Sequence, residues 1–156
     1  MHTQVVYAPA FQKPSGGMYL STDQLNLVSG STTLVILDSI FTSFVDGIED
    51  VINHRIVINK SGLYFVFGSI GFINMVDSRV YGCTLHRNGN ASPFAEDIFP
   101  YHAPATGSGF TVSTGRVIHL DLGDYVDLRA YHLAGVNTID ITDAQQRTFL
   151  IVQRVR

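Results

Sequence analysis

The 156-residue chain is short of several things, and each shortage removes a class of protein. With one cysteine, Cys83, no internal disulfide can form. A chain of this length buries roughly 70% of the surface its unfolded form exposes, so its core can hold it without one. Cys83 shows no basic neighbourhood that would make it reactive and reads as a small buried hydrophobe. Lysine is nearly absent: Lys13 and Lys60 stand against eight arginines, and the net charge is −3. The scattered basic residues exclude a nucleic-acid stripe, and the arginine bias suits a surface built for protein contact. Charged residues make up only 15% of the chain, a sparse polar coat for a monomer. Glutamate is scarce too, two against eleven aspartates, which favours turns over helices. No apolar run approaches the ~20 residues of a membrane-spanning helix. The opening "MHTQVVYAPAFQKPSGG" has neither the basic start nor the apolar block of a signal peptide.

What remains is a succession of short strands. No dozen residues carry a helical stripe; in "FTSFVDGIEDVI" Gly47 interrupts the pattern, and a loop or short strand is expected. Residues 1–17, with Pro9, Pro14 and Gly16-Gly17, read as an extended arm, and a first strand is expected from Gly17 to Leu27. "STTLVILDSI" and "HRIVIN" read as strands. "RVYGCTLHRNGNASPF" contains Asn88-Gly89, a hairpin signal because both residues must adopt positive φ. "PYHAPATGSG" reads as a loop. "FTVSTGRVIHLDLGDYVDLRAYHL" holds two strands about an "LGD" turn, and "NTIDITDAQQRTFLIVQRVR" holds two more. Eight to ten antiparallel strands at this spacing predict an all-β jelly-roll sandwich, one domain over residues 18–156.

Catalytic and metal chemistry find little support. The six histidines, His2, His54, His86, His102, His119 and His132, have no zinc-type spacing. His119 and Asp121 share a strand face and are expected to pair structurally. No G-x-S-x-G, phosphate loop or H-E-x-x-H occurs. The acid pairs Glu49-Asp50 and Glu96-Asp97 are expected in loops, without the spacing of a calcium site. Asp124 is expected to hydrogen-bond the backbone of its own turn. No enzyme, metal or cofactor is expected.

The unusual stretch is "INKSGLYFVFGSIGF", Ile58 to Phe72. A half-buried strand alternates apolar and polar residues. Here Leu63, Phe65 and Phe67 face one way, Tyr64, Val66, Ile70 and Phe72 the other, and both faces are apolar. The last strand repeats the pattern, with Phe149, Ile151 and Val155 alternating with Leu150 and Val152. In "GDYVDLRAY", Val126, Leu128 and Ala130 form an inward set while Tyr125, Asp127, Arg129 and Tyr131 face outward. A double-sided strand is either central in a monomer covered by loops or shared with another subunit.

Four motifs in order point to the second case. "SGLYFVF" (Ser61 to Phe67), "LHRNGN" (Leu85 to Asn90), "LDLGDYVDLRAY" (Leu120 to Tyr131) and "TFLIVQRV" (Thr148 to Val155) resemble the globular heads of the tumour necrosis factor and complement q-subcomponent superfamily. The resemblance covers about residues 30 to 156. The closing strand departs from it in lacking the usual glycine and carrying Gln153 and Arg154, and no collagen-like stalk or membrane anchor precedes the head. It implies a compact homotrimer, with Phe65, Phe67, Phe149, Ile151 and Val155 at the axis and Tyr125, Asp127, Arg129 and Tyr131 in subunit contacts. If three phenylalanines each gave up about 150 Å², the gross gain would be about 11 kcal/mol per subunit. Such heads on animal proteins are secreted or anchored ligands, whereas stalkless trimeric jelly rolls occur on phage particles. By that analogy the expected role is a capsid decoration (cement) protein on the virion exterior, made in the host cytoplasm. It would bind the major capsid protein through an arm anchored by Val5, Val6, Tyr7 and Phe11. The alternatives are a receptor-binding tip of a phage tail or fibre gripping a cell-surface glycan with Tyr101 and His102, and a secreted-type trimeric ligand head.

Overall fold

The computed structural model describes residues 15–41, 48–101, 109–136, 139–144 and 146–155. The expected arm residues Val5, Val6, Tyr7 and Phe11, together with His2 and His102, lie outside them. The described residues form thirteen strands and no helix. They are β1 (Ser15–Tyr19), β2 (Gln24–Leu27), β3 (Thr32–Leu34), β4 (Ser39–Ile40), β5 (Glu49–Asp50), β6 (Arg55–Val57) and β7 (Gly62–Ile73). The rest are β8 (Arg79–Arg87), β9 (Ala95–Tyr101), β10 (Phe110–Leu120), β11 (Tyr125–His132), β12 (Ile139–Ile141) and β13 (Phe149–Arg154).

Two antiparallel sheets face each other. The first runs β4-β1-β13-β7-β10, with β12 and β2 continuing past the end of β13 along β7. The second runs β5-β6-β11-β8-β9, with β3 beside β11 beyond the end of β6. This is the expected jelly-roll sandwich. Strands outnumber the expectation because two of the predicted ones are broken and because the acid pair Glu49-Asp50, expected in a loop, forms β5. Gly17–Leu27 divides into β1 and β2 at Ser21, whose backbone and hydroxyl both donate to the Asp38 carboxylate at 2.8 Å. "STTLVILDSI" divides into β3 and β4 because the chain changes sheets between them, and Val35 and Leu37 bury fully at the crossing. β1 starts at Ser15, so the last residues of the expected arm already pair with β13.

The core answers to one phase of each long strand. Tyr64, Val66, Ile70 and Phe72 of β7 and Leu150 and Val152 of β13 meet Tyr81, Cys83, Leu85, Val126, Leu128 and Ala130 of the opposite sheet. Gly68 sits in the middle of this contact. A Cβ there would lie 2.6 Å from Leu128 Cδ1 and 2.9 Å from Leu85 Cδ2, so the sheets approach through it. Cys83 is fully buried, and burial pushes its thiol well above the ordinary range.

The "LGD" turn is a corner between sheets, carrying β10 of the first into β11 of the second. Gly123 takes φ +90°, and the Asp124 amide donates to the Asp121 carbonyl at 3.0 Å. Asn88 and Gly89 both adopt positive φ, 53° and 67°, as their types predict. They do not close a two-residue hairpin. The Asn90 amide bonds the Arg87 carbonyl at 3.0 Å, but β8 and β9 resume pairing only at Leu85 and Ala95. The intervening loop instead leaves Asn88 beside the corner.

One buried histidine ties together an end of the sandwich. His132 Nε2–H donates to the Leu27 carbonyl at 3.0 Å, and Nδ1 accepts from the Ala134 amide at 3.4 Å. The ring stacks on Tyr81 at 6.2 Å. Burial lowers its pKa, against the opposing pull of the Leu27 hydrogen bond, so the native ring stays neutral. The unfolded chain therefore binds this proton first. Its contribution to stability is complete above the ordinary value of 6.5 and is lost as pH falls from there towards the lowered native value. The expected outcome is that the urea-midpoint difference between the wild type and His132→Gln is largest near neutrality and narrows in mild acid. An unchanged difference would contradict it.

Candidate functional site

The outward face of the first sheet carries the second apolar phase. Its cross-strand rows follow from register. Gly17, Ile151, Phe67 and Gly115 form one row; Ser15, Gln153, Phe65 and Val117 the next; Tyr19, Phe149, Ser69 and Ser113 the row on the other side. Phe65 stacks on Phe67 at 6.2 Å, and Phe67 meets Phe149 at 5.9 Å. Phe149 lies edge-on to Phe41 at 6.2 Å, and Phe41 meets Tyr19 at 5.0 Å. The result is one aromatic row across the sheet. Glycine at 115 makes room for it, since a Cβ there would stand 2.9 Å from Phe67 Cδ2. Phe41, Gln146, Phe149 and Ile151 line an open, mainly apolar hollow of about 380 Å³.

Four of the five residues expected at a subunit axis, Phe65, Phe67, Phe149 and Ile151, thus lie together. The fifth, Val155, lies just past β13, where its amide donates to the Leu63 carbonyl at 2.7 Å. Phe65 keeps 40% of its surface exposed, Val117 50% and Val155 36%, while Phe67, Phe149 and Ile151 are half-buried. The phenylalanines already shield one another. At 40% exposure Phe65 has about 80 Å² left to lose, about half of what the sequence suggested. A covering partner must therefore draw on Val117, Val155, Phe41 and Tyr19 as well. Of these, sequence pointed to Val155 alone; it takes the β1–β13 and β7–β10 pairings and the ring contacts of Phe41 to place Tyr19, Val117 and Phe41 beside the phenylalanines.

The four expected contact residues of β11 lie on the other sheet. Val126, Leu128 and Ala130 face the core as predicted, and Tyr125, Asp127, Arg129 and Tyr131 face out, a sandwich thickness from the phenylalanines. The two sets are not one surface. Asp127 is also covered, at 3% exposure, and its carboxylate takes Arg129 Nε at 2.6 Å and Nη2 at 3.3 Å. The Arg55 guanidinium covers the Tyr125 ring at 4.3 Å and binds Asp50 at 2.9 Å.

The remaining polar candidates have structural partners. Glu49-Asp50 and Glu96-Asp97, expected in loops, lie in β5 and β9, where sheet edges recruit them into pairing. Among the described residues no group of three His, Cys, Asp or Glu side chains is placed to hold a metal ion. Tyr101 ends β9, opposite Arg79. His119 and Asp121 are 3.6 Å apart as expected, and Arg87 shares the same carboxylate at 3.3 Å. His86 is buried between Thr84 Oγ1 at 3.0 Å and the Asn90 carbonyl at 2.7 Å.

Asp124 does more than hold its own turn. It accepts from the Asp121 amide at 2.6 Å, as predicted, and also from Asn88 Nδ2 at 2.7 Å and Arg87 Nη2 at 2.6 Å. Asn88 Oδ1 accepts from the Tyr125 amide at 2.9 Å. The "NG" loop and the "GD" corner, separate motifs in sequence, are one clasp.

Comparisons with known proteins agree with this architecture. No family model and no curated protein sequence matches the chain. Among solved structures, Eiger TNF from S. frugiperda superposes with a TM-score of 0.72 at 10% identity, over 93% of this chain and 94% of that one. Murine APRIL at pH 5.0 superposes with a TM-score of 0.67 at 13% identity, over 92% and 100%. The chain has a TNF-like jelly-roll fold.

Burial alone would push the Asp124 pKa up, but hydrogen bonds from Asn88 and the Asp121 amide, with Arg87, outweigh it and hold the carboxyl below its usual range. Its stabilisation is present above the unfolded carboxylate value and disappears as pH falls through the lowered native one. Asp124→Asn is expected to cost about 2 kcal/mol at neutral pH, with the deficit closing in strong acid. Denaturant titrations of both proteins across that range check it.

Proposed function

We propose that the chain is a non-catalytic binding head that works as a homotrimer, closed over the outward face of its first sheet. The observation that carries this is the aromatic row Phe65, Phe67, Phe149, Phe41 and Tyr19, exposed on one side of a sheet whose other side is a filled core. Contiguous exposed apolar surface of this kind marks an interaction site. The similarity to Eiger TNF and APRIL, whose superfamily the sequence resembles, supports a three-fold arrangement and a role by contact rather than chemistry. In this reading Phe65, Phe67, Phe149, Ile151 and Val155 line the axis.

Two roles suit such a trimer. The solved neighbours favour a ligand-type head, acting through its outer loops and sheet on a receptor. The second role is capsid decoration on the virion exterior, favoured by the apolar residues Val5, Val6, Tyr7 and Phe11 ahead of β1. They would lie along a major capsid protein and add strands or anchors to it. A receptor-binding tip of a phage tail or fibre, using Tyr101 and His102 on a glycan, is the alternative to decoration on a virion.

Sedimentation at micromolar concentration is expected to give three chains per particle. Phe65→Asp and Phe67→Asp, both on the outward phase, are expected to give monomers that keep the wild-type circular dichroism. Trimers that persist in both variants would place the interface elsewhere. Bare expanded capsids that take up the trimer and gain heat resistance would support decoration; adsorption to cells without capsid binding would support the ligand or tip.

A further inference from the structure

The outward face of the first sheet ends in a charge that the aromatic row does not explain. Arg147, in the turn before β13, lays its side chain across two glycines of the neighbouring strands. A Cβ on Gly71 would stand 2.8 Å from Arg147 Cβ and 3.3 Å from its Cδ, and a Cβ on Gly109 would stand 3.0 Å from Nη1. The stem therefore crosses β7 and the guanidinium reaches the start of β10, the two strands that carry Phe65, Phe67 and Val117. Among the described residues the guanidinium makes no hydrogen bond, and no carboxylate lies within ion-pair distance of it. Hydroxyl residues stand on the same face in the adjoining rows. Thr111 pairs with Gly71, and one step along the strands Ser69 and Ser113 place their Oγ atoms 3.0 Å apart.

A free cation on a solvated surface is unremarkable, but this one lies on the face that the trimer would close. Closure removes water from it, and a desolvated charge without a partner is strongly unfavourable. A three-fold axis also repeats every residue at one height, and in the proposed trimer, whose axis Phe149 lines, Arg147 two residues earlier brings three guanidiniums to one end of that axis. Their repulsion needs an anion that accepts hydrogen bonds from several directions at once. Planar guanidinium forks match tetrahedral oxyanions in this way.

We infer that this end of the trimer is an anion site, in which three Arg147 guanidiniums, backed by the hydroxyls of Thr111 and Ser113, hold one phosphate-class oxyanion. The inference rests on the trimer reading above and adds its ligand. The site binds one anion per three chains and makes the stability of the assembled trimer rise with phosphate rather than with ionic strength.

The test compares thermal unfolding in inorganic phosphate and in chloride at equal ionic strength, with the binding stoichiometry read by calorimetry. The expected result is a phosphate-specific rise in Tm of several degrees and one phosphate per three chains. Both should vanish in Arg147→Gln while that variant sediments as a trimer. Gly109→Ala keeps the charge but displaces the guanidinium, and should weaken phosphate binding at least tenfold. A sugar phosphate serves as a separate arm: binding with the same stoichiometry means the site accepts an anion carried on a larger molecule, and exclusion means a free ion. An equal shift in chloride, a shift that survives Arg147→Gln, or one phosphate per chain overturns the site and leaves the trimer standing. A single chain in solution overturns the trimer reading, and the site with it.

Discussion

A strand has two faces, and a two-layer sandwich can bury only one of them. In β7 that constraint meets a sequence that is apolar on both. One phase, Tyr64, Val66, Ile70 and Phe72, fills the space against the second sheet. The other, Leu63, Phe65 and Phe67, is left over, and neighbouring strands enlarge the remainder rather than hide it. Gly115 opens space beside Phe67, Val117 adds an exposed side chain next to Phe65, and Phe149 and Phe41 extend the row towards Tyr19. A chain optimised as a monomer would place polar residues in that phase, as β-sheets with one solvated face do.

The second sheet shows the contrast. Its outward phase carries charge and ring contacts that complete themselves within one chain: Arg129 with Asp127, Arg55 with Asp50 and over Tyr125. Polar groups there are satisfied and partly covered. Apolar exposure on this sheet is confined to its edge strand, where Ile98 and Phe99 of β9 keep 43% and 42% of their surface, whereas on the first sheet the aromatic row crosses the middle. The asymmetry is what the proposed trimer rests on, since the continuous aromatic row lies on the first sheet alone.

The fold was readable because its signals are local. Short runs bounded by turn residues located β7, β8, β10, β11 and β13, and the types Asn88, Gly89 and Gly123 marked where the chain turns with positive φ. What could not be read was pairing. Whether Asn88 closes a tight hairpin or leans on Asp124 depends on a corner 36 residues away. The acid pairs looked like loops because Glu and Asp disfavour strands, yet short edge strands tolerate them. Likewise the outward residues of β11 and the phenylalanines of β7 share a pattern, and alternation carries no label for the sheet to which a strand belongs. Tyr19, Phe41 and Arg147 joined the candidate site through register alone.

The position of β13 has a consequence for the order of events during synthesis. β1, among the first strands made, and β7, from the middle of the chain, are neighbours only through β13, which is threaded between them. Until that strand emerges, the first sheet is two separate pieces, and neither Phe149 nor Ile151 is present to complete the adhesive surface. Before β13 has left the ribosome a nascent polypeptide thus carries the apolar row only in fragments, and docking through that row waits for the strand that joins them.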